Sequence, residues 1–280
     1  MKKRLERVAT GPAATDSADA SSNKQQTRLT AILEKLQQTG EVSVESLSAA
    51  FRVSVVTIRR DLDQLAREGL LKRTHGGAVS IEPLFYEPFK NDSSFQTQFE
   101  KMADEKRRIG RAAAAMVGRG ETIALTPGTT TMEVIRGLPL NHKLTVVTNT
   151  VNIAMELSRR KDLDVFVTGG HLRGDWFSLV GPTAIQSLQQ IMIHTLFIGA
   201  DGLESEAGIT CFNSEEAVLN AAMVKLARRR IAVLDHTKFG VVGGWRICQT
   251  SDLHALVTDT EATDEIIKPF RKAGIQVMRV

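Results

Sequence analysis

The chain has 280 residues, with 36 Lys and Arg against 32 Asp and Glu, a net charge of +4, and only two cysteines. Its composition is that of a globular protein with room for one small and one medium domain. No apolar run reaches the length of a membrane span. Cys211 and Cys248 are too few for a disulfide framework or a cysteine zinc site, so a reducing cytoplasm fits.

Residues 1–23 are basic and then rich in Ala, Ser, Thr and Asp, without the apolar core of a secretory signal. They read as a disordered tail. A domain over residues 24–80 follows. Leu29, Ile32, Leu33 and Leu36 mark a one-faced helix that Gly40 closes. Ser43 caps a second, short helix, and Arg52-Val53 turns the chain into Ser54, a good N-cap. Val55, Ile58, Leu62 and Leu65 then recur at helical spacing and face a core, while Thr57, Arg59, Arg60 and Asp63 fall off that stripe. Gly69 stops the helix. Leu70 to Arg73, the Gly76-Gly77 turn and Ala78-Val79 make a two-stranded wing. Helix, helix, turn, helix and wing describe a winged helix-turn-helix, whose third helix enters the major groove of double-stranded DNA.

Charge agrees. Residues 24–80 hold nine Lys and Arg against six Asp and Glu, whereas residues 81–280 hold 23 of each. The excess positive charge sits mostly on the small domain, as phosphate binding requires. Residues 81–103, with Pro83, Pro88 and five aromatics, read as a linker packed on one domain or the other.

From 104 to 280 the pattern is alternating helix and strand, with Asp104 capping the first helix. Apolar strands centre on 122–125, 144–147, 163–167, 195–198, 231–234, 255–257 and 275–278, with amphipathic helices between them. That alternation predicts an α/β domain around a mostly parallel sheet covered on both faces. Arg228-Arg229-Arg230 is expected at a helix end, where cations are favoured.

Ligands of such sheets bind beyond the carboxyl ends of the strands. Small and polar residues stand there in this chain: Thr126, Gly128, Thr129, Thr130 and Thr131 after the first strand, Asn149 after the second, Gly169 and Gly170 after the third, Asp201 after the fourth and Lys238 after the fifth. Gly128 lets backbone approach an anion, and the threonines donate to it at a helix N-terminus. Asp201 and Lys238 would reach the rest of a phosphorylated sugar. Taken singly, each turn also describes a capped helix start, and His171 has no partner at zinc spacing. No metal and no cofactor are expected.

The run VSVVTIRRDLDQLAREGLLKRTHGGA resembles the signature of the DeoR family of bacterial sugar-catabolism regulators. The second half is similar to that family's sensor domain in its GTT loop, TNT, TGG, GADG and D-x-x-K-F-G turn. The resemblance implies a fold like that of ribose-5-phosphate isomerase, a phosphosugar effector and, in most such proteins, repression. This chain departs from the family's Asp-Ser-Gly-Thr-Thr at Thr126-Pro127, where a hydroxyl replaces a carboxylate and proline removes a backbone donor.

Two functional classes are therefore expected to compete. In the first, a homo-oligomeric regulator, not an enzyme, uses Arg59 and Arg60 for base edges or phosphates. Ser54, Val55 and Thr57 meet the groove wall, and Lys72, Arg73, His75 and Gly76 serve the wing. Either arginine could instead pair with Asp61 or Asp63. In the second, a sugar-phosphate isomerase carries an accessory DNA-binding domain, with Asp201, Glu204, Glu215 or Glu216 as base and Lys238 as electrophile.

Overall fold

A computed structural model describes residues 15–80, 93–174 and 176–280. The chain divides into two units, one up to residue 81 and one from residue 82 onward.

The first unit runs α1 (Thr15–Thr39), β1 (Glu41–Ser43), α2 (Val44–Phe51), α3 (Val55–Arg67), β2 (Leu71–Arg73) and β3 (Gly77–Ser80). α1 begins inside the stretch expected to be a disordered tail, so residues 15–23 are helical, while 1–14 lie outside the described residues. Leu29, Ile32 and Leu36 of α1 are buried, and the Gly40 N–H closes the helix on Leu36 O at 2.9 Å. Ser43 Oγ accepts from Ser46 N, and Ser54 Oγ accepts from Thr57 N at 3.1 Å, so both expected caps form. α2 ends where Arg52 turns left-handed, at φ 52°. α3 ends at Gly69 (φ 75°), with Leu70 N reaching back to Leu65 O, the pattern of a left-handed helix stop. Ile58, Leu62 and Leu65 are fully buried. Val55 is not: it sits in the first turn, ahead of the packed part of the stripe, and is 36% exposed.

β1 carries no local signal, being three residues long. It exists because β3 returns beside it, and the order β1-β3-β2 makes a three-stranded antiparallel wing. The close approach explains Gly77: a Cβ there would lie 1.9 Å from Val42 O. Gly77 therefore belongs to the sheet and not to the turn tip. Gly77→Ala should force β3 off β1. We expect a loss of about 2 kcal/mol or more, in the range of overpacked sites, read as an earlier first-unit transition in calorimetry; an unchanged transition would show that the wing can give way there.

The second unit opens with α4 (Ser93–Glu100), a helix within the expected linker, and α5 (Ala103–Ala114). Residues 81–92 of that linker lie outside the described residues. Met102, at φ 54°, stands at the N-cap of α5, so Asp104 falls in the first turn and pairs with Arg107 instead of capping. There follow β4 (Thr122–Leu125), α6 (Thr129–Arg136), β5 (Thr145–Thr148), α7 (Val151–Leu157), β6 (Asp164–Val167), β7 (His171–Arg173), β8 (Ser178–Val180), α8 (Pro182–Ser187), β9 (Ile193–Ile198), β10 (Gly202–Glu204), β11 (Gly208–Cys211), α9 (Ser214–Leu226), β12 (Ala227–Val233), β13 (Trp245–Cys248), β14 (Ala255–Thr258), α10 (Asp264–Lys272) and β15 (Gln276–Arg279).

Seven strands form one sheet in the order β15-β14-β12-β9-β4-β5-β6, every pair parallel. Alternating side chains leave its two faces. Ile123, Leu125, Phe197 and Val257 pack with Ile109, Ile135 and Ile153 of α5, α6 and α7. Ala124, Val147, Ile198 and Leu256 pack with Ala184, Leu219 and Phe270 of α8, α9 and α10. Two excursions leave this sheet, the hairpin β7-β8 and the antiparallel β10-β11-β13. Their strands are three or four residues long, too short for period-two alternation to register. The arginine cluster lies in β12, not at a helix end, because the chain turns extended at Ala227. Arg229 donates to Met116 O, and Arg230 to Asp252 O and Ala227 O. Among the described residues no helix is long and apolar enough to cross a membrane.

Candidate functional site

Among the described residues of the first unit, α3 and the wing expose basic side chains. The N-cap at Ser54 starts α3 with Val55, Val56, Arg59 and Arg60 exposed, Val56 at 57%. Neither arginine makes a hydrogen bond or ion pair among the described residues. The acids that could have claimed them are taken. Asp61 is buried and held by Arg28, at 2.5 Å from Nε. Asp63 is held by Arg73 at 2.9 Å. Arg73 also donates to Gly77 O, so it fastens the wing to α3, whereas Lys72, His75 and Gly76 are exposed along the wing. Ser54 and Thr57 share a hydroxyl contact of 2.9 Å that belongs to the cap. Val56, which the hydrophobic stripe does not mark, stands beside Arg60 one turn on; an exposed apolar pair in this turn suits thymine methyl groups.

The second unit has an open cleft at the carboxyl ends of the strands, bordered by Gly128, Thr129, Thr130, Asp201, Glu216 and Lys238 among others. Gly128 stands at the N-cap of α6 with φ 153°. Thr129 and Thr130 open the helix at the cleft. Thr131 turns its hydroxyl back, donating to Thr126 O and Gly128 O at 2.9 and 2.8 Å. Thr126 is fully buried; its hydroxyl accepts from Gly199 N at 3.0 Å and donates to Gly199 O at 3.3 Å. Thr126 and Thr131 thus shape the loop from beneath, and Pro127 borders the cleft without an N–H to offer.

Also on the cleft's border, Asp201 accepts from Phe212 N at 2.9 Å, and Glu216 accepts from Ser178 Oγ at 2.6 Å. Lys238 ends the short helical turn after β12. Asn149, Gly169 and Gly170 do not border the cleft. Asn149 donates to Leu179 O, Gly169 N donates to Ser187 Oγ, and a Cβ on Gly170 would lie 2.5 Å from Val180 O. They fasten the β7-β8 hairpin and α8.

Gln98, Trp176, Cys211 and Asn220 also border the cleft, and strand-end reasoning misses them. Asn220 follows Glu216 by one turn of α9, a spacing that puts both on one face, and its Oδ1 is buried without a partner. Burial pushes the Cys211 thiol up to about 11, so it stays protonated. Glu204 is occupied by its own turn, accepting from Glu206 N and Ala207 N, and Glu215 is exposed outside the cleft. Elsewhere His236, Asp259 and Glu261 bring ligand atoms within 4.8 Å of one another. The oxygens of Asp259 accept from His236 and from Glu261 N, and Glu261 faces Arg108 at 3.6 Å.

Residues 28–83 match the DeoR-like helix-turn-helix domain and residues 101–260 the DeoR C terminal sensor domain. The chain is 31% identical to the glycerol-3-phosphate regulon repressor of Escherichia coli, over 91% of this chain and 98% of that protein. It is 32% identical to the HTH-type transcriptional regulator GolR of Listeria innocua, over 88% of this chain and 95% of that one. Among solved structures, ribose 5-phosphate isomerase A of Methanocaldococcus jannaschii overlaps 50% of this chain and 55% of its own with a TM-score of 0.37 and 15% identity.

Proposed function

Because the chain belongs to the DeoR family and is a DNA-binding transcriptional regulator, we propose that it represses a sugar-catabolism operon and that a phosphorylated sugar in the second unit's cleft controls its hold on operator DNA. The observation that carries the reading is the pairing of unclaimed Arg59 and Arg60 on a capped, exposed helix start with an anion-suited helix N-terminus in the other unit. At the cleft, α6 offers backbone N–H groups and threonine hydroxyls to a phosphate, Lys238 adds charge, and Asp201 and Glu216 accept from sugar hydroxyls.

One α3 reads too few base pairs for strong specificity, so the active form is a cytoplasmic homo-oligomer with recognition helices set at half-site spacing. The effector loosens DNA by binding the other arrangement of that oligomer more tightly. The isomerase alternative is disfavoured. Of its four carboxylates, Glu204 is engaged in a turn and Glu215 lies outside the cleft, and a sensor needs binding alone.

The test is a thermal-shift screen with ribose 5-phosphate, glucose 6-phosphate, fructose 1-phosphate and glycerol 3-phosphate, followed by product analysis. At a hundredfold excess over Kd, binding stabilises by about 2.7 kcal/mol, a rise of about 5–10 °C for a unit of this size. We expect that rise without turnover, lost in Lys238→Ala, and weaker operator binding in its presence. Turnover of any of the four would favour the enzyme.

A further inference from the structure

Lys106, on α5, is the one buried lysine among the described residues, 3% exposed. Lys106 does not itself border the cleft; it stands behind Gln98, which does, and its Nζ donates to the Gln98 carbonyl. The charged groups acting on it are Asp235 and Lys238 around the turn after β12, Lys101 ahead of α5, and Glu133 on α6. Neither acid is its ion-pair partner. Asp235 accepts from Thr237, and Glu133 is paired with Arg136 at 2.7 Å. An ammonium carries three donors, and Gln98 meets one. The burial of so poorly compensated a charge pulls its pKa down to about 8.

The cleft itself has a matching deficit. Its bordering charges are Asp201, Glu216 and Lys238, two negative and one positive. Two carboxylates suit sugar hydroxyls, but a dianionic phosphate beside them needs more than one cation. We propose that Lys106 is the second cation of the cleft: it donates to a phosphate oxygen of the bound effector, and the effector in turn keeps its amine protonated. The assignment rests on the phosphosugar reading above.

A linkage follows. Well below pH 8 the free chain already carries the proton, and binding takes up almost none. Above pH 8 the free amine is neutral and the complex is charged, so binding takes up a proton and affinity falls by up to tenfold per pH unit. A sugar phosphate has its second pKa near 6, so the ligand's charge is constant across this window.

The experiment is calorimetric titration of the full chain with the same four sugar phosphates between pH 7 and 9, in buffers of different ionisation enthalpy. The expected result is an affinity level from pH 7 to 7.5, then a decline between pH 8 and 9 with proton uptake approaching one. Lys106→Met, which keeps the buried stem, should weaken binding at pH 7.5 by about 10–100-fold and abolish the decline. If that variant does not fold, proton uptake by the wild-type chain decides alone. Wild-type binding that is flat in pH, with no proton uptake, overturns the assignment and leaves the phosphosugar reading standing. A wild-type chain that binds none of the four removes that reading and the assignment with it.

Discussion

Arg59→Ala and Arg60→Ala should each lower affinity for the specific operator by about 1–3 kcal/mol per half-site, or about 5–150-fold, without changing the melting of the first unit. The second half of the expectation follows from the structure. Both guanidiniums are exposed and make no bond among the described residues, so their removal strands nothing. The two substitutions are separable in their salt dependence. A base-reading arginine loses discrimination between operator and scrambled DNA. A phosphate-binding one weakens both alike and reduces the slope of log affinity against log salt by about one. Gel-shift titrations on both sequences at three salt concentrations distinguish these outcomes. Unchanged operator affinity in both variants would remove α3 from the groove. The wing supplies an internal comparison. Lys72→Ala should behave as a phosphate contact, whereas Arg73→Ala should also loosen the wing, since Arg73 bridges Asp63 and Gly77 O.

The contrast between these residues shows what a sequence carries. Caps, stripes and stops are local chemistry, and Ser43, Ser54 and Gly69 act where their residue types place them. The seven parallel strands are legible for a similar reason: each is an apolar run long enough to differ from the helices around it. What escapes is anything whose cause lies far along the chain. β1 is a strand because of β3, and Gly77 is a glycine because of Val42. Asn149, Gly169 and Gly170 stand at strand ends, as ligand residues do, but the hairpin that follows claims them. Lys106 looks like any surface lysine of a charged helix start, yet it is buried and its amine donates to the Gln98 carbonyl of α4. The arginines posed the sharpest ambiguity. Whether Arg59 and Arg60 were free depended on which cation took Asp61 and Asp63, and Arg28 and Arg73 are 33 and 10 residues away from those acids.

That arrangement makes Asp61 the residue on which the first unit's geometry turns, and Asp61→Ala should cost about 3 kcal/mol. Arg28 grips Asp61 through Nε at 2.5 Å and Nη2 at 3.2 Å, with side-chain exposures of 16% and 2%. Breaking a buried pair by removing one partner costs about 3–5 kcal/mol, because the survivor stays desolvated and unpaired. Arg28 keeps some contact with water, which places the expectation at the lower end. For a unit of this size, 3 kcal/mol lowers the melting temperature by roughly 12–24 °C. Calorimetry should show the first unit's transition falling while the second unit's stays in place. Operator binding should fall with it, although Asp61 is buried and cannot touch DNA, because α1 no longer sets the pose of α3. The double variant Arg28→Met with Asp61→Leu should recover most of the stability, since an apolar pair of similar volume avoids the desolvation of both charges. Recovery of melting and of operator binding together would show that the ion pair serves only to hold α3 against α1. An Asp61→Ala chain that melts like the wild type would mean that Leu29, Ile32 and Leu62 fix α3 without it.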